Sequence, residues 1–136
     1  MISLHDIPGG HLAIGHLPKL ADKTEGDSVV FVAPFKCKLR SVEVVSNQNW
    51  VGVNSATNYN KLVCSTVISG VETAVGTISG SPSGTPVPAN TPTSIYSPST
   101  YPTLEADDLV VLSLGTVGAG TTAAPAMTAK VIYEGA

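Results

Sequence analysis

The chain reads as an all-β protein, a sandwich or barrel of about seven to eight short antiparallel strands. Apolar residues recur with a period of two, or in short continuous runs. No stretch carries a 3.6-residue period long enough for a helix. Clusters of Gly, Pro, Asn and Ser separate the runs, as turns do between strands. With 136 residues the chain has the size of one domain. A domain of that size buries roughly two-thirds of its unfolded surface and needs no disulfide to hold a core.

Residues 1–10 lack periodicity and contain Pro8, Gly9 and Gly10, which predicts an N-terminal arm followed by a single domain over 11–136. Residues 11–17 predict a short strand with Leu12 and Ile14 on one side. Residues 18–27 form a polar connection with room for one helical turn. Ser28 to Ala33 is apolar on both faces, the pattern of a strand covered on both sides. Across residues 36–46, Lys36, Lys38 and Arg40 alternate with Cys37 and Leu39, and then Val42 and Val44 fall in phase with the cations. A β-bulge or corner near Ser41 would restore both sets to consistent faces.

Residues 47–58 form a turn-rich loop that carries the only tryptophan, Trp50. Residues 59–69 alternate, with Leu62, Cys64 and Ile68 set against Lys61, Ser65 and Ser69. Gly70 marks a turn, and 71–79 predicts a weaker strand. Six of the ten prolines fall in residues 80–103. Proline gives no amide to a ladder, so this stretch is expected to be a surface loop or an edge segment, anchored by Ile95 and Tyr96. Residues 104–108 read as a turn, 109–114 as a nearly all-apolar strand, and 126–134 as an alternating one. Phe31 and Tyr133 are the aromatics best placed for the core.

Charge is sparse at 12% of residues, against about 25% in an average domain. No basic residue lies between Lys61 and Lys130, and no charge of either sign lies between Glu72 and Glu105. Net charge is -3. Phosphate-backbone binding needs clustered cations, so no nucleic-acid contact is expected. The stripe of Lys36, Lys38 and Arg40 reads as a solvated strand face.

Motifs for catalysis and metal binding fail on context. His11 and His16 are five apart, so a strand sends them to opposite faces, and neither they nor His5 show ligand spacing. Gly118 to Ala123 fits the letters G-x-G-x-x-A, but Pro125 and a strand follow where a helix is required. Gly80 to Gly84 resembles a nucleophile elbow with Pro82 at the nucleophile's place. Glu105, Asp107 and Asp108 lack EF-hand spacing and read as a solvated turn. Cys37 and Cys64 are in neither a C-x-x-C nor a zinc arrangement, and read as buried reduced thiols rather than a bridge. The chain is therefore expected not to be an enzyme and to need no cofactor or metal.

The N-terminus has no signal-peptide pattern, and no run reaches the roughly 18 apolar residues of a membrane helix. Synthesis in a cytoplasm and no membrane association are expected. Trp50 reads either as a loop anchor or as a contact residue, since Trp and Tyr dominate interface energetics. Tyr59, Tyr96 and Tyr101 are further contact candidates.

Three stretches carry a family likeness: VVFVAPFKCKLRSVEVV over 29–45, GVNSATNYNKL over 52–62, and the closing pair LEADDLVVLSLG and AMTAKVIYE. In that order and spacing the chain resembles the head-decoration, or cement, proteins of tailed bacteriophages. The likeness extends over most of residues 11–134. Where the family usually has a glycine before the late strand, this chain has Ala106, Asp107 and Asp108, and its Pro-rich 80–103 stretch is long. The resemblance implies a jelly-roll-like β-sandwich that trimerises on the outer surface of a capsid and clamps neighbouring major capsid proteins, with no direct nucleic-acid contact. It gives the arm a place as a hook on the shell, with Ile2, Leu4 and Ile7 as candidate anchors. A head-fibre, tail-associated or carbohydrate-binding β-domain is the alternative, motivated by Trp50 and the Pro/Thr/Ser stretch.

Overall fold

A computed structural model describes residues 10–17, 26–50, 59–79, 87–117 and 125–136. Among these residues nine strands follow one another: β1 (His11–Leu17), β2 (Gly26–Val32), β3 (Cys37–Ser46), β4 (Tyr59–Ile68), β5 (Val71–Ser79), β6 (Thr93–Tyr96), β7 (Thr103–Leu104), β8 (Leu109–Val117) and β9 (Met127–Gly135). They form two antiparallel sheets, β1-β9-β3-β6 with the short β7 beside β3, and β2-β8-β4-β5. The arm expected over 1–10 lies outside the described residues except for Gly10, as do Ile2, Leu4, Ile7 and His5.

The topology is a long hairpin rolled up. Its nested pairs are β4 with β5, β3 with β6, β2 with β8 and β1 with β9. Rolling then makes β3 a neighbour of β9, and β4 a neighbour of β8. That arrangement is a jelly roll, as expected of the fold class. The hairpin's apex is a two-residue turn at Ser69 and Gly70, both at positive φ (52° and 78°), the backbone a tight antiparallel reversal prefers.

Side chains from both inner faces fill the core. Leu39, Val42, Val44, Ala129, Val131 and Tyr133 come from the first sheet, and Phe31, Leu62, Cys64, Val110, Leu112 and Leu114 from the second. The rings of Phe31 and Tyr133 meet at 4.8 Å between centroids. The phase change in β3 is a bulge between Leu39 and Ser41, which turns Val42 and Val44 inward and leaves the flanking cations outside.

Two glycines let the sheets close at their lateral edges. A Cβ on Gly15 of β1 would stand 2.6 Å from the Val30 Cβ of β2. A Cβ on Gly76 of β5 would overlap the Ile95 carbonyl oxygen of β6. No larger residue permits so close a backbone approach.

β2 departs from the sequence expectation. It is the edge of its sheet rather than a strand covered on both faces. A bulge between Val29 and Phe31 sends Val30 and Phe31 inward, and leaves Val29 and Val32 exposed at 54% and 51%. The Pro-rich stretch also hides order. Ile95 is buried on β6, and Val87 pairs with Trp50 through two backbone hydrogen bonds of 2.9 and 3.0 Å.

Candidate interaction surface

Among the described residues, no group of three or more His, Cys, Asp or Glu is placed to hold a metal ion. His11 and His16 fall on opposite faces of β1, with His11 half-buried against Tyr133 and His16 exposed. An open hollow between the ends of β1, β3 and β9 is lined by His16, Val45, Asn47, Asn90 and Met127, and no carboxylate or thiol is among its described lining residues.

Burial pushes the Cys37 thiol up to about 11, with the Asp108 carboxylate adding to it, and the Cys64 thiol up to about 12. Both side chains are free thiols inside the core. A thiol held protonated in that way is a poor nucleophile at neutral pH.

The acidic turn is a structural latch. Asp108 is 7% exposed, and its two carboxylate oxygens accept the backbone N–H groups of Ser69 at 3.1 Å and Glu105 at 2.9 Å. Its carbonyl accepts Ala33 N–H at 2.8 Å, and Asp107 N–H donates to the Ala33 carbonyl at 2.8 Å. One residue thus ties three connections at one end of the sandwich. The sequence reading of a solvated turn holds for Glu105 and Asp107, which are exposed, and fails for Asp108.

Trp50 is 1% exposed. Its indole is core packing beneath the Val87 segment, so the reading as a contact residue is corrected to that of an anchor. The tyrosines do not form one patch. Tyr59 is half-buried at the start of β4 in the second sheet. Tyr96 is half-buried on β6, and Tyr101, 36% exposed, lies beside the same margin of the first sheet, with the Arg40 guanidinium 5.6 Å from its ring centroid.

The two outer faces differ in chemistry. On the first sheet, Lys130 pairs with Glu43 at 4.0 Å, and Lys38 lies opposite Glu134 in the ladder. Away from the β1 edge, where Leu12 and Ile14 are exposed, this is the ordinary solvated side of an antiparallel sandwich. On the second sheet, pairing aligns Val29, Val111, Ser65 and Ala74 in one row, and Val32, Leu109, Val67 and Glu72 in the next. Val63 adjoins them, and Asp27, Lys61 and Glu72 stand at the margins. Of these, Val29 and Val32 at the β2 edge are more than half exposed, Leu109, Val67 and Val63 are half-buried, and Val111 and Ser65 are buried. Exposed valines side by side are uncommon on a solvated sheet face.

Sequence reasoning missed these residues because it assigned the apolar run of β2 to the core. The signal was the run itself: a strand apolar on both sides offers one side to the core and leaves the other apolar at the surface.

No protein-family model and no curated protein matches the chain. Among solved structures it is similar to a chain of the structure of infectious bursal disease virus Gx strain, at 12% identity and a TM-score of 0.28, over 92% of this chain. The match covers 33% of that chain. The strand order described above rests on the hydrogen-bonded pairs alone.

Proposed function

We propose that this chain is a structural virion protein that covers and joins neighbouring capsid subunits, as a homotrimer on the outer surface of a tailed-phage head. The observation that carries the reading is the apolar outer face of the second sheet at its β2 edge, where Val29 and Val32 are more than half exposed. Leaving such a face in water costs roughly 25 cal/mol for each Å² of apolar area, which association recovers. The jelly roll, the low charge and the sequence resemblance to head-decoration proteins agree with it. Work of this kind is mechanical. A clamp that binds the assembled shell and not free subunits stabilises the shell by mass action, and many copies multiply modest contacts. The partner would be the major capsid protein, with no cofactor, membrane or nucleic acid involved.

The test is direct addition of the purified protein to phage heads that lack it. Saturable occupancy and a higher disruption temperature of the decorated heads are expected. Heads that stay bare at micromolar protein would end the proposal. The carbohydrate-binding alternative loses its main motive, because Trp50 has no exposed ring to stack on a sugar.

A further inference from the structure

Four of the large apolar side chains that are more than half exposed lie at one lateral edge of the sandwich, but on its two opposite sides. Leu12 (56%) and Ile14 (52%) face out of the first sheet from β1, and Val29 (54%) and Val32 (51%) face out of the second from β2. A partner with one flat surface covers one side of such an edge and leaves the other wet. A two-fold dimer buries a single self-complementary patch. Only neighbours on both sides cover both flanks.

From this placement we infer that the β1/β2 edge points at the axis of a closed ring of copies of this chain, the β1 flank of each subunit packing on the β2 flank of the next. This rests on the proposed reading as a homo-oligomer and assigns its interface.

Registry supports the pairing. The contact of Gly15 with Val30 fixes the relative heights of the two strands. Rotation about an axis along the edge does not slide copies past one another, so residues at equal height meet. Counting from that contact, Ile14 falls between the heights of Val29 and Val32, and Leu12 beside that of Val32. His16, exposed on the β1 flank, falls near Val29 and one residue pair from the exposed Asp27 on the β2 flank. An imidazole at the end of one apolar stripe therefore lies near a carboxylate at the same end of the other. Apolar matches apolar, and the polar ends bring a ring N–H donor towards a carboxylate acceptor. Heterologous contacts of this kind close into a ring when the rotation closes.

Sedimentation velocity on four proteins tests the assignment: wild type, I14K, V29D and the double variant I14K/V29D. Wild type is expected as a ring of three. Each single variant places a charge against an apolar partner, and should be monomeric at concentrations where wild type is fully assembled. The double variant should regain the ring, because each new lysine faces a new aspartate in the next copy. Single variants that keep the wild-type mass, or a double variant that stays monomeric, would overturn the interface while leaving an oligomeric protein. A monomeric wild type overturns both this and the trimer reading. A circular-dichroism melt checks folding of the variants. If a single charge prevents folding, I14T and V29T replace it with the same expectation of weakened assembly, and unchanged mass in them overturns the interface.

Discussion

Asp108 shows how much a single side chain can organise. Its carboxylate satisfies two backbone donors from segments far apart in the chain, Ser69 and Glu105. Each bond to a charged acceptor contributes about 1.5–3 kcal/mol, and the donors would otherwise lose their partners. D108A is therefore expected to lose about 3 kcal/mol in urea unfolding, with D108N, which retains an acceptor, losing less. Equal stability of D108A and wild type would remove the latch. The two thiols make a second case. Unfolded, they release their protons near the ordinary value of 9.0, while folded they hold them to about 11 and 12. Above pH 9 the unfolded state binds fewer protons, so this contribution to stability is whole below pH 9 and is lost as pH climbs through 11 and 12. The urea midpoint should fall between pH 8 and 10.5, and should fall less in C64A. An identical slope in C64A would acquit that thiol.

Among the elements, the strands that meet without hydrogen bonding are the sensitive ones. Gly15 and Gly76 stand where two sheet edges touch, and a methyl group at either must push the sheets apart. G15A and G76A are expected to cost about 1–3 kcal/mol each, as overpacking does. Gly115 supplies the control. A Cβ there would have Lys61 Cε as its nearest neighbour at 3.7 Å, so G115A should stay within about 0.5 kcal/mol of wild type. Similar melting temperatures for all three would show that the edges do not need their glycines. The strands themselves were largely legible in the sequence. The phase slip between Leu39 and Val42 announced the β3 bulge because alternation is a geometric constraint. β6 was obscured because Pro92 and Pro98 bracket it, and proline argues against strands on average while permitting an edge. β2 was misplaced because periodicity reports which faces are apolar, not what covers them. Trp50 stayed open because one aromatic among polar neighbours fits an anchor and a contact equally well.

For the molecule as a whole, the fold came through from alternation and turn chemistry, but the candidate surface did not. A surface is defined by which strands end up at an edge, and that depends on pairings between distant segments. His11 pairs with Tyr133, almost the full length of the chain away, and no local pattern encodes that contact. The nested hairpin also sets an order of events. The apex at Ser69 and Gly70 joins its two strands with almost no chain to close, whereas β1 must find β9 across nearly everything else. Loop closure becomes costlier with separation, so folding should zip outward from the apex and seat β1 last. Pulse-labelled amide exchange during refolding is expected to protect Val63 to Val67 before Leu12 to His16. Simultaneous protection would contradict a zipper. A late-arriving β1 leaves an unfinished subunit lacking one flank of its edge, which would keep half-folded chains out of assemblies without any separate checkpoint.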